Sequence, residues 1–103
     1  MVSKKTLLRI KTSLQKKIKV NRFYLFGSRA RGDFTKDSDY DFAIISQDFK
    51  KMSFDERQAL TRTAVRKVLG VVSLDIACYT PQEYQAGKKS FLPSIIEREG
   101  VVV

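Results

Sequence analysis

A chain of 103 residues with no histidine, one cysteine and a formal charge of +9 leaves a short list of chemistries. Without histidine there is no Ser-His-Asp triad, no imidazole general base and no zinc site that needs one; a lone cysteine builds neither an internal disulfide nor a thiolate zinc site. Any catalysis must run on carboxylates, hydroxyls, Arg, Lys or a hard cation held by oxygen.

The length predicts one domain over residues 1–103. No apolar run approaches the roughly 20 residues of a membrane helix. Residues 1–19 alternate apolar and basic side chains and do not read as a signal peptide, so a cytoplasmic location without membrane contact is the expectation. The charge is lopsided. Residues 1–31 hold Lys4, Lys5, Arg9, Lys11, Lys16, Lys17, Lys19, Arg22, Arg29 and Arg31 and no acid, while the rest of the chain is nearly neutral. Such a segment is either a surface for something anionic or a solvated helix face.

In chain order, Leu7, Ile10, Leu14 and Ile18 recur at helical spacing and predict an amphipathic helix over 4–18. Phe23-Tyr24-Leu25-Phe26 reads as a buried strand that ends at Gly27. Phe23, Phe26 and Phe42 are core candidates, and the role of Tyr24 is open. Ser28 and Gly32 bracket a single helical turn. Residues 33–38 read as a loop and 41–46 as a second strand. Ser53 and Glu56 have capping-box spacing at the start of a helix over 54–69, which Gly70 stops. Residues 71–79 form a third strand interrupted by Asp75. Cys78 reads as a small buried hydrophobe. Thr80-Pro81 opens another helix, and residues 94–99 form a last helical stretch before an apolar tail. The order predicts a small α/β sandwich, with helices on a short mixed sheet.

Three carboxylates interrupt apolar strand contexts. Asp39 and Asp41 are two apart, so in an extended chain both point the same way. Asp75 reaches the same face if the third strand pairs with the second. A carboxylate in such a place is costly unless it is paired or binds a cation, and a cluster without histidine suits Mg²⁺ or Mn²⁺. A short loop away, Gly27 permits close backbone approach. Ser28 opens a helical turn whose N–H groups, with the hydroxyl and the Arg29 and Arg31 side chains, suit phosphate. Arg31 serves equally well as a brace for Asp33 or Asp37. A phosphate cradle beside a carboxylate cluster is the equipment for attack on a nucleotide α-phosphate.

Gly27-Ser28, ten residues, then Asp39-Tyr40-Asp41 resembles the polymerase-β-like nucleotidyltransferase superfamily. The stretch from Phe26 to Ala43 is similar to its minimal nucleotidyltransferase (MNT) branch in particular. The resemblance implies a small palm-like nucleotidyltransferase fold. It also implies Asp39, Asp41 and Asp75 as ligands of two Mg²⁺ ions, with Asp75 helping to activate the acceptor hydroxyl. Gly27, Ser28 and, less directly, Arg29 would hold the triphosphate of a nucleoside triphosphate, expected to be ATP. Larger relatives carry extra domains for acceptor and base recognition, which a chain of this length must obtain from a partner. For this branch the partner is a helical HEPN-type toxin. The implied activity is transfer of AMP to a tyrosine of that toxin, the chain serving as antitoxin. A binding-only antitoxin with a vestigial nucleotide site is an alternative. So is an RNA-end nucleotidyltransferase or nucleic-acid binder that uses the basic first segment.

Overall fold

The computed structural model describes residues 2–103. Helix α1 (Lys4–Gln15) opens on the Ser3 hydroxyl, which accepts from the Thr6 N–H, and buries Leu7, Ile10 and Leu14. It stops a turn earlier than the apolar spacing predicts. The N–H groups of Lys17 and Ile18 both bond the Leu14 carbonyl, which tightens the exit while leaving Ile18 buried. Strand β1 (Arg22–Phe26) leads through Gly27 into the single turn α2 (Ser28–Arg31), then across loop 33–39 to β2 (Tyr40–Ile45). A 3-10 turn, Gln47–Lys51, follows and buries Phe49; it was not anticipated. Helix α3 (Phe54–Leu69) begins with the predicted capping box of Ser53 and Glu56. Strand β3 (Leu74–Tyr79) is shorter than expected. Its ladder starts where Leu74 meets the first residue of β2, and Val71 lies outside at 97% exposure. Helix α4 (Pro81–Ala86) starts at Thr80-Pro81 with a second capping box, through Glu83. Helix α5 (Phe91–Glu99) begins earlier than predicted, because Pro93 falls in its first turn, where a missing N–H costs no hydrogen bond. The apolar tail forms a short edge strand, β4 (Val101–Val102).

The sheet order is β3-β2-β1-β4. Strand β2 runs antiparallel to β1 and parallel to β3, and β1 pairs antiparallel with β4. The parallel step needs a crossover, which α3 supplies. Alternation divides the side chains between two faces. Phe23, Leu25, Phe42, Ile44, Leu74 and Ile76 meet α1 and α3 on one face. Tyr24, Phe26, Ala43 and Ile45 meet Tyr84 of α4 and Ile96 of α5 on the other. Burial on both faces explains why the strands read as apolar runs rather than as alternating ones. The same arrangement decides Tyr24, which is buried and stacked on Tyr84 at 6.3 Å between ring centroids.

Arg57 of α3 ties the helices together. Its guanidinium donates to the Phe49 carbonyl at 2.7 Å and pairs with Glu83 of α4 at 2.7 Å. No helix among the described residues is long and apolar enough to cross a membrane.

Candidate active site

The three predicted carboxylates come from two adjacent strands. In the parallel pairing of β2 with β3, Asp41 stands opposite Asp75. Both belong to the face that carries Ala43 and Ile45, just beyond the part that Tyr84 and Ile96 cover. Asp39 precedes β2 with the same parity. It is joined to β3 by the Ser73 hydroxyl, which donates to its Oδ1. Tyr40 anchors this end of the ladder, its N–H bonding the Ser73 carbonyl at 3.0 Å.

The electrostatics show that the three share one field. Burial, then repulsion from Asp75 and from Asp39, pushes the Asp41 carboxyl up to about 6, and Arg31 only partly offsets this. Asp39 and Asp75 are exposed and Asp41 is half-buried. Among the described residues no three such side chains are drawn together closely enough to form a ready-made cation cage. The donor set is nonetheless what a hard divalent ion accepts: carboxylate oxygens, mutually repelling, with no imidazole and no thiolate among them. A cation there would relieve the repulsion that Asp41 suffers.

Gly27 closes the other side. It lies at φ +74, a conformation that L side chains rarely adopt, and an added Cβ would collide with the Asp41 carboxylate. Glycine is therefore required twice, for the backbone angle and for the close approach. In α2 the first intrahelical bonds run from the Ala30 and Arg31 N–H groups to the Gly27 carbonyl. The Ser28 and Arg29 N–H groups lie ahead of them, at the end of the turn where a helix offers donors. Ser28 itself is half-buried.

The two arginines of this turn part ways. Arg29, expected to touch phosphate, is 6% exposed. Its guanidinium donates to the Ser38 carbonyl at 2.9 Å and lies 3.9 Å from the centre of the Tyr40 ring. Weaker bonds reach the Thr35 and Lys36 carbonyls. Through Nε and Nη2 this planar fork folds loop 33–38 around itself, a bracing role the sequence did not suggest. Arg31, left open between ligand and brace, pairs with Asp33 at 3.3 Å and with Glu99 of α5 at 3.0 Å. It also supplies the positive charge felt by Asp41. The Glu99 contact had no sequence signal, because the two residues are far apart in the chain. Ser73 was missed for a similar reason, since a serine before a strand belongs to no motif. Cys78 is partly buried, and burial raises its thiol pKa, which fits a packing role.

Several solved structures share this fold. A candidate nucleotidyltransferase from Sulfolobus solfataricus superposes with a TM-score of 0.63 at 21% identity, over 95% of this chain and 76% of that one. A toxin-antitoxin structure with AMP-PNP gives 0.69 at 19% identity, over 92% and 69%. BolA1 from Arabidopsis thaliana gives 0.58 at 22% identity, over 76% and 94%. Because a protein of that other name shares the shape, shape alone does not assign the chemistry. No curated protein matches the sequence. The family model described as a nucleotidyltransferase domain matches residues 7–103, from α1 through β4, and so takes in Gly27-Ser28 and all three carboxylates. By that match the chain belongs to the nucleotidyltransferase domain family.

Proposed function

We propose that the chain is a magnesium-dependent adenylyltransferase that moves AMP from ATP onto a tyrosine of a HEPN-type toxin and thereby acts as its antitoxin. The observation that carries the catalytic part is the Asp41–Asp75 register pair packed against Gly27. It puts Asp41, at the centre of the carboxylate cluster, beside the glycine that opens the helical turn whose free N–H groups suit phosphate. Asp39 and Asp41 are the metal ligands, with Asp75 beside them. Magnesium, when bound, neutralises the triphosphate and stabilises the charge that develops on transfer. Gly27 and the N–H groups of Ser28 and Arg29 hold phosphate oxygens, and the Ser28 hydroxyl adds a donor. The toxin hydroxyl attacks the α-phosphorus as its proton passes to Asp75. The bond from the α-phosphorus to the bridging oxygen then breaks, and pyrophosphate leaves with the electron pair.

The toxin part is supported by likeness to a structure described as a toxin-antitoxin with AMP-PNP. The test is intact-mass spectrometry of a HEPN-type protein encoded beside this chain, after incubation with it, ATP and Mg²⁺. The expected result is one AMP increment on the toxin, absent with Asp39→Asn/Asp41→Asn. An unchanged toxin mass, with toxicity still neutralised by the double variant, would instead establish a binding-only antitoxin.

A further inference from the structure

The basic first segment has a use of its own in the folded chain. Where α1 packs on α3, two adjoining grooves share Ser13, Lys16 and Lys67. Lys4, Lys5, Arg9, Lys16, Lys17 and Lys67 rim them, and no acidic side chain does. Among the described residues none of these six cations makes a salt bridge. The floor is apolar. Leu8 lies in the middle of the basic face at 46% exposure, and Ala59, Leu60, Ala64 and Val68 are the other apolar lining residues, beside the hydroxyls of Thr12, Ser13 and Thr63. Two of the lining hydroxyls already donate within the fold, Ser13 to the Ala64 carbonyl at 2.8 Å and Thr12 to the Leu8 carbonyl at 3.0 Å.

We propose that this groove docks an acidic amphipathic helix of a partner protein. The chemistry of the floor chooses among polyanions. Stacking the bases of a single strand takes aromatic rings, and the groove lining holds no aromatic side chain. An apolar floor between two rows of flexible ammonium groups fits leucines flanked by carboxylates. Helix α1 has 12 residues and so extends about 18 Å, room for about three turns of a partner helix. The groove lies on the face of the sheet opposite Asp41 and Asp75, because α1 and α3 cover Phe42 and Ile76. A partner held there leaves the carboxylates open. The proposal therefore stands whether or not the site transfers AMP.

The test titrates the full chain with a labelled helical peptide carrying leucines at i, i+3, i+4 and i+7 with glutamates on both sides, followed by amide chemical shifts. Saturable binding is expected, with shifts confined to α1 and α3 and none at Asp41 or Asp75. Lys16→Glu/Lys67→Glu should weaken it about tenfold or more, both side chains being exposed, with an unchanged amide spectrum elsewhere to show that the variant is folded. The same variant should keep its affinity for ATP with Mg²⁺. A peptide with serines in place of the leucines should also bind weakly. Full affinity for that peptide, indifference to the charge reversal, or tighter binding of a single-stranded RNA to the same residues would overturn the proposal.

Discussion

One face of the sheet has two ends with opposite economies. At one end Ala43, Ile45 and Tyr24 lie under Tyr84 and Ile96. There Tyr84 packs edge-on to Tyr79 at 5.7 Å, and its hydroxyl donates to Glu97 at 2.6 Å. At the other end, within two residues along β2, Asp41 meets Asp75 with only Arg31 to offset the repulsion. The strands and their pairing are the same at both ends. What differs is whether α4 and α5 cover the surface. The covered end stabilises the fold; the uncovered end keeps like charges together at a cost in stability, as functional sites commonly do.

The largest test of this contrast is Asp41→Asn. It should lower nucleotidyl transfer by about 10³-fold or more, because it removes a ligand where charge develops. The same change should raise the thermal midpoint of the metal-free protein. A drop in both activity and midpoint would mean that Asp41 is part of the scaffold. At the covered end, Ile96→Ala should cost about 2–5 kcal/mol in denaturant unfolding, since Ile96 has no exposed surface. A loss under about 1 kcal/mol would show that α5 is loosely held.

Arg29→Lys should cost about 2 kcal/mol of stability and make loop 33–38 sensitive to protease, because an ammonium cannot bridge several carbonyls and stack on Tyr40. The affinity of the surviving folded protein for ATP should change little. A large loss of ATP affinity without loss of stability would make Arg29 a phosphate ligand rather than a brace.

The smallest effect is that of pH. Between the ordinary carboxylate range and about pH 6, Asp41 holds more proton in the folded chain than in the unfolded one. Stability of the metal-free protein should therefore fall as pH rises through that interval, and Asp41 contributes a penalty at neutral pH. With the group only half-buried, solvent screening reduces the effect to about 1 kcal/mol. Excess Mg²⁺ and ATP should flatten the profile, and Asp41→Asn should abolish it. A profile that persists in the variant would assign it to another group.

Much of this was written locally in the chain. The capping box of α3, the Thr80-Pro81 start of α4, the helical spacing of Leu7, Ile10 and Leu14, and the break at Gly27 all depend on residues within a turn or two of one another. They were readable for that reason, and so was the Gly27-Ser28 to Asp39-x-Asp41 spacing that marks the family. The tertiary structure decided what depends on distant partners. It paired β3 in parallel beside β2, and that register alone brings Asp75 to Asp41. It turned Arg29 inward to loop 33–38, while Arg31 reached Glu99 across the fold. It made the final valines an edge strand by giving them β1 to bond. Local hydrogen bonding and periodicity act through neighbours in the chain, whereas charge fields, strand register and burial act through space. The sequence by itself therefore determined which groups the site contains, and only the fold decided which of them meet.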